Sequence, residues 1–157
     1  MFGRANASIV MAAFLHAAPG GGRFNGPDLG AWYASADQTT AVAEVGHHLR
    51  REAVARQQPS LRRTFRAYTS RLNGRYLDIR GSTRPDLYAY DSYTAGQEFG
   101  EAERARGGFV YDSVRRQGGI NVVAYRPSKV TDVMQAEHFD VAVSAVARRI
   151  EVTRLNK

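Results

Sequence analysis

Three consecutive glycines, Gly20–Gly22, run directly into Arg23, Phe24 and Asn25. No regular element tolerates that stretch, because glycine loses the most backbone freedom on ordering and serves turns and close backbone approaches instead. The chain must turn here, and the turn carries a cation, the arrangement expected of a mobile loop that approaches an anion. Trp32 and Tyr33 follow, and a carboxylate arrives at Glu44. Arginine, aromatic ring and carboxylate within two short elements suit a ligand that carries phosphates, a flat ring and a ribose.

The 157 residues suffice for one domain with a proper core and are too few for two comfortable ones. We therefore read 1–157 as a single domain. No apolar run approaches the roughly 18 residues a membrane helix requires. The apolar stretch Ala7–Ala18, with Ile9, Val10, Met11, Phe14 and Leu15, is broken by His16 and followed by Pro19. It reads as a core segment, with a weak signal peptide as the alternative. With no cysteines there are no disulfides and no thiolate metal sites, as fits a reducing cytoplasm. His47, His48 and the acids make no zinc pattern, and the glycines match neither a Walker loop nor a Rossmann fingerprint.

The net charge of +7 is almost entirely arginine, since Lys129 and Lys157 are the only lysines. Between Arg50 and Arg84 ten arginines face two acids, Glu52 and Asp78. The plain reading is a solvated surface. The sharper ones are a nucleic-acid face, an anionic ligand or an acidic protein partner.

Along the chain, Ala31–Ser35 reads as a strand, and Ser35 or Asp37 caps a helix over Gln38–Arg56. Val42, Val45 and Leu49 form its apolar stripe, with Glu44 and His48 one turn apart at the margin. Arg62–Leu72 and Arg75–Arg80 read as two strands joined in a hairpin at Asn73-Gly74. Thr94 caps a helix that runs to about Arg106 and ends at Gly107-Gly108. Phe109–Tyr111 and Ile120–Tyr125 are further strands. Phe139, Val141 and Val143 alternate with polar or small residues as a half-buried strand, and Ile150–Leu155 is the last. The sum is an α+β domain dominated by antiparallel strands.

Five phrases occur in order: Gly-Gly-Arg-Phe-Asn at Gly21–Asn25, Ala-Trp-Tyr-Ala at Ala31–Ala34, Thr-Ala-Val-Ala-Glu-Val at Thr40–Val45, Tyr-Asp-Ser-Val-Arg at Tyr111–Arg115 and Gly-Gly-Ile-Asn-Val-Val at Gly118–Val123. Each alone is weak. Together, over about Phe14 to Pro127, they resemble the RES-domain family, named for its arginine, glutamate and serine, here Arg23, Glu44 and Ser113. The resemblance implies an ADP-ribosyltransferase-like fold and the toxin of a RES–Xre toxin–antitoxin pair, which breaks the nicotinamide–ribose bond of NAD. Water as acceptor makes a glycohydrolase, phosphate a phosphorylase, and a protein side chain an ADP-ribosyltransferase. NAD would be a substrate, with no cofactor. The implied partner is a helical Xre-like antitoxin that blocks the site, within a complex that can hold more than one copy of the toxin. Membranes are not expected as partners, and nucleic acid only through the antitoxin. Compared with the family's pattern, few residues precede the glycine–arginine turn, so the N-terminal element is expected to be short and to leave that wall of the site incomplete.

The residues fit this chemistry on their own terms. Cleaving the glycosidic bond builds positive charge on the ribose, which Glu44 can stabilise. Arg23 suits the pyrophosphate or ribose, and Tyr33 can stack on nicotinamide. Those three are the expected catalytic residues. Ser113, Asn25, His48, His16 and Asn121 are the expected substrate contacts, with His48 a candidate for an anionic acceptor. Nothing near Ser113 marks it as an activated nucleophile. The different-class alternative is a nucleic-acid-binding module or RNase toxin using Arg50–Arg84. Phe65, Tyr68 and Tyr76 form no known RNA-binding motif there.

Overall fold

The computed structural model describes residue 4 and residues 6–16 and 18–155. Its elements run α1 (Ala7–Leu15), β1 (Trp32–Ser35), α2 (Gln38–Ala55), β2 (Ser60–Leu72), β3 (Leu77–Asp78), α3 (Thr94–Glu103), β4 (Gly108–Asp112), β5 (Ile120–Ala124), β6 (Val130–Ser144) and β7 (Ile150–Leu155). Two sheets result. One has the order β1-β5-β4-β3, antiparallel except for the β3–β4 pair, and the other has the order β2-β6-β7, antiparallel throughout. This is the α+β architecture expected from the sequence.

The helix α2 begins where a capping residue allows it. Asp37 Oδ1 accepts from the Thr40 backbone N–H at 2.8 Å and from its hydroxyl at 2.9 Å, which satisfies a donor that the first turn leaves open. Its buried residues are Thr40, Gly46, Leu49 and Ala53. Of the expected stripe of Val42, Val45 and Leu49, Leu49 is buried, and Gly46 takes the buried place expected of Val45. A Cβ on Gly46 would strike the Ile150 side chain, so β7 approaches the helix through a gap only glycine leaves. Hydrophobicity alone nominates Val45, whereas close packing selects Gly46.

The expected hairpin at Asn73-Gly74 does not form. Only Leu77–Asp78 is strand after that turn, and it pairs with β4 in parallel. The partner of β2 is β6, about sixty residues later, in a register running from Ser60↔Ser144 to Leu72↔Val130. Asn73 instead donates through Nδ2 to Thr131 Oγ1 at 2.6 Å, and its backbone N–H to the Lys129 carbonyl at 2.9 Å. The turn passes the chain from one sheet to the other. Asparagine-glycine reports a reversal of direction and says nothing about which strand is paired. At α3, Thr94 is the first helical residue rather than the cap, and the helix gives way to a 3-10 turn over Arg104–Arg106. Gly107 closes that turn at φ 89°, a left-handed conformation suited to glycine.

Phe24, Phe109, Tyr111, Val123 and Leu87 form one core cluster, in which the Phe24 ring meets Phe109 at 5.5 Å and Tyr111 at 4.7 Å, edge to face. A second cluster packs Leu49 of α2 against Phe139, Val141 and Val143 of β6. The alternation along β6 thus buries one face, as expected. In the N-terminal segment Ala7–Ala18, helix α1 packs Val10 and Phe14 against Val130 and Trp32. Ala17 of that segment lies outside the described residues. No helix among the described residues is long and apolar enough to cross a membrane.

Candidate active site

The glycine–arginine turn is fixed rather than mobile, and α3 fixes it. Gln97 Nε2 donates to the carbonyls of Gly20 (2.9 Å) and Gly22 (3.0 Å). Gly96 and Gly100, one turn apart, lie so close that a Cβ would collide with the carbonyls of Arg23 and Phe24 respectively. Tyr125 donates its hydroxyl to the same Phe24 carbonyl at 2.6 Å. Within the turn, Gly21 sits at φ 72° with no room for a side chain against the Asn25 carbonyl. Asn25, 4% exposed, organises the rest. Its Oδ1 accepts from the Gly22 N–H (3.1 Å) and the Tyr33 hydroxyl (2.6 Å), and its Nδ2 donates to the Leu29 carbonyl (2.7 Å).

Arg23 is accordingly no surface cation. It is 8% exposed, and Nη1 donates to the carbonyls of Leu87 (3.2 Å) and Ala89 (2.9 Å). Its guanidinium lies 4.8 Å from the Tyr93 ring centroid. Burial pulls its pKa below the usual arginine value, with Tyr93 acting in the opposite direction. Tyr33 comes from β1. The residue is 38% exposed, while its hydroxyl is held between Asn25 Oδ1, to which it donates, and the Phe24 N–H, which it accepts at 2.9 Å. Burial raises that phenol well above the ordinary tyrosine value, so it stays protonated.

Glu44 comes from α2 and meets the β4–β5 hairpin. Its Oε1 accepts from Ser113 Oγ at 2.7 Å and from Asn121 Nδ2 at 2.8 Å. Asn121 Oδ1 in turn accepts from Ser35 Oγ at 2.6 Å. Among the described residues, both hydrogen bonds to Glu44 fall on Oε1, and Oε2 receives none.

These elements enclose a cavity of about 570 Å³, the size of a small-molecule site. Arg23, Tyr33, Glu44, Asn25, His48, His16 and Asn121 all line it. Ser113 does not: it stands behind Glu44, as a support for the carboxylate. Ala13 of α1 and His16 just after it also line the cavity, so the wall on that side is formed.

Four polar or aromatic residues on the wall were missed by sequence reasoning: Ser35, Arg51, Tyr93 and Tyr111. Arg51 had a signal, for it lies three residues after His48 and seven after Glu44, on the same helical face. Its guanidinium shares the Tyr93 ring with Arg23, at 5.7 Å. Tyr93 lies just ahead of α3, and nothing in its sequence context brings it to the cavity. Arg115 stacks on Tyr90 at 4.5 Å and donates to the Tyr90 carbonyl at 2.9 Å. Three arginines thus converge on the segment 87–93, whose Tyr93 lines the cavity. Their field and burial act on the histidines. His47 is pushed down to about 3, chiefly by burial and then by Arg115. His48 is also lowered, chiefly by burial, with Glu44 opposing. Both are neutral at physiological pH.

The arginine-rich stretch is largely occupied elsewhere. Arg56 and Arg63 engage Glu52, Arg62 engages Asp140, Arg71 engages Asp132, Arg80 engages Asp78 and Arg84 engages Asp86. Six of the ten arginines are therefore paired with acids rather than aligned as a bare phosphate-binding face. Among the described residues no group of three or more histidines and acids is placed to hold a metal ion.

Comparison with curated proteins found no match. A family model described as the RES domain matches residues 2–144, nearly the whole chain. Arg23, Glu44 and Ser113 fall within that match; the first two line one cavity, and Ser113 donates to Glu44 at its wall. The chain belongs to the RES-domain family.

Proposed function

We propose that this protein cleaves the nicotinamide–ribose bond of NAD, as the toxin of a toxin–antitoxin pair that arrests growth by depleting NAD. The observation that carries the reading is Glu44, held through Oε1 by Ser113 and Asn121 on the wall of a cavity it shares with Arg23 and Tyr33. In the reaction the ribose C1″–nitrogen bond breaks, its electron pair leaves with nicotinamide as a neutral pyridine, and positive charge develops on the ribose. Glu44 Oε2 faces that charge in a site whose donors are already in place, so little reorganisation is required at the transition state. The acceptor then attacks C1″: water gives ADP-ribose plus a proton, and phosphate gives ADP-ribose-1″-phosphate.

The other residues position the substrate. Arg23, with Nη1 spent on two carbonyls, offers the rest of its fork to a phosphate or ribose oxygen. The exposed ring of Tyr33 offers a stacking surface, and its tethered hydroxyl fixes the ring angle. Arg51 supplies a cation for an anionic acceptor, and the neutral His48 on the same helical face offers it an N–H donor. The expected partner is a helical antitoxin that covers the cavity mouth, and the expected compartment is the cytoplasm. Incubation with NAD, with and without inorganic phosphate, tests the reading. Release of nicotinamide with ADP-ribose or its 1″-phosphate supports it, and labelled protein instead of free product would assign ADP-ribosyl transfer.

A further inference from the structure

The hydrogen-bond network around Glu44 has a direction, and backbone atoms set it. The Ser113 oxygen accepts the backbone N–H groups of Arg115 (3.2 Å) and Arg116 (3.1 Å). A hydroxyl has two lone pairs and one proton. With both lone pairs engaged, the proton has one partner left, Glu44 Oε1 at 2.7 Å. Amide N–H groups cannot reverse, so this end of the network is fixed as a donor. Oε1 therefore faces Asn121 as an acceptor, and Asn121 must turn its NH₂ toward it, at 2.8 Å. That leaves the Asn121 carbonyl oxygen aimed at Ser35, whose hydroxyl supplies the proton at 2.6 Å. Both arms converge on a single carboxylate oxygen.

The strands make this geometry rigid. Ser35 and Asn121 are direct cross-strand neighbours in the β1–β5 ladder, and Asn121 also pairs with Tyr111 of β4. Asn121 is 3% exposed, so water does not readily replace a lost partner.

We infer that Ser35 is a positioning residue that orients Asn121 and, through it, holds Glu44 with Oε1 saturated and Oε2 alone presented to the cavity. The same saturation removes Ser113 as a nucleophile or as an internal ADP-ribose acceptor. The inference rests on the NAD-cleaving reading for its catalytic consequence, and on geometry alone for the network itself.

The test uses Ser35→Ala and Ser35→Thr in the full chain, since threonine keeps the hydroxyl and suits a strand. Two readouts are taken. Side-chain NMR follows the Asn121 amide and the Glu44 carboxyl carbon, and steady-state kinetics follows NAD cleavage. Ser35→Ala is expected to move both side-chain signals, and to lower kcat roughly tenfold while KM for NAD changes less than about twofold, the mark of a mispositioned catalytic group. Ser35→Thr is expected to restore both. Unmoved side-chain signals in Ser35→Ala, or a loss of kcat that Ser35→Thr fails to restore, would overturn the inference. If the wild-type protein leaves NAD intact, the NMR arm still decides: moved signals restored by threonine keep the network while the NAD reading falls.

Discussion

Replacing Glu44 with glutamine removes one charge and leaves the surrounding geometry a way to survive. Glutamine Oε1 can accept from Ser113 and Asn121 as the carboxylate does, because both incoming groups are donors. The amide NH₂ then takes the position of Oε2. At that position a negative oxygen is exchanged for a donor that repels positive charge on the ribose. Losing one preorganised electrostatic contact of this kind costs about 3–4 kcal/mol of transition-state stabilisation, or roughly 10²–10³ in kcat. Folding stability should change by no more than about 1 kcal/mol, since no buried partner is orphaned. The assay pairs NAD turnover followed by chromatography with a thermal melt. Glu44→Gln should lose at least a hundredfold in kcat, shift KM much less, and melt within a few degrees of the wild type. A variant that retains kcat within about threefold refutes the electrostatic role. One that unfolds refutes the argument that the network accepts either side chain.

Other outcomes follow from the supports of the site. Gly100→Ala should destabilise by about 1–3 kcal/mol in a denaturant melt, because its Cβ meets the Phe24 carbonyl and the Tyr125 hydroxyl that bonds it; a neutral effect would mean that α3 is not what seats the glycine–arginine turn. Tyr33→Phe strips a partner from both the Phe24 N–H and Asn25 Oδ1, so its denaturation midpoint should fall by the equivalent of about 1–3 kcal/mol with an unchanged m value. His47 titrates at about 3 in the folded protein against an ordinary 6.5. The unfolded chain therefore binds more protons between those values, and this contribution to stability is complete above pH 6.5 and drains away as pH falls toward 3. His47→Gln should flatten that part of the stability–pH curve, and an identical slope in the variant would assign it to other groups.

The sequence was legible where local chemistry decides structure. The Asp37 cap, the alternation of Phe139, Val141 and Val143, and the final strand Ile150–Leu155 stand where the residues indicated. It misled where a distant partner decides. The Asn73-Gly74 turn looks like a hairpin because its residues favour one, yet β6 takes the β2 edge from across the chain. Val45 looks like core by hydrophobicity, yet Ile150 needs the space that only Gly46 leaves. The site divides in the same way. Arg23, Tyr33 and Glu44 were visible as chemistry-bearing residues in distinctive local settings, and all three reach the cavity. The supports were not visible, because Gly96, Gln97 and Gly100 act on the turn through backbone proximity, and Ser35 acts on Glu44 through an intervening asparagine. Tyr93 reaches the wall from the segment just ahead of α3, by a path no spacing encodes.

A cavity that breaks the bond between nicotinamide and ribose must release nicotinamide as NAD is lost. The most direct test is to incubate the purified protein with NAD and quantify free nicotinamide, in buffer alone, with inorganic phosphate, and with cell extract as a source of protein acceptors. Nicotinamide should equal the NAD consumed, with ADP-ribose or ADP-ribose-1″-phosphate as the matching product and almost none from Glu44→Gln. Intact NAD under all three conditions would contradict the NAD-cleaving reading.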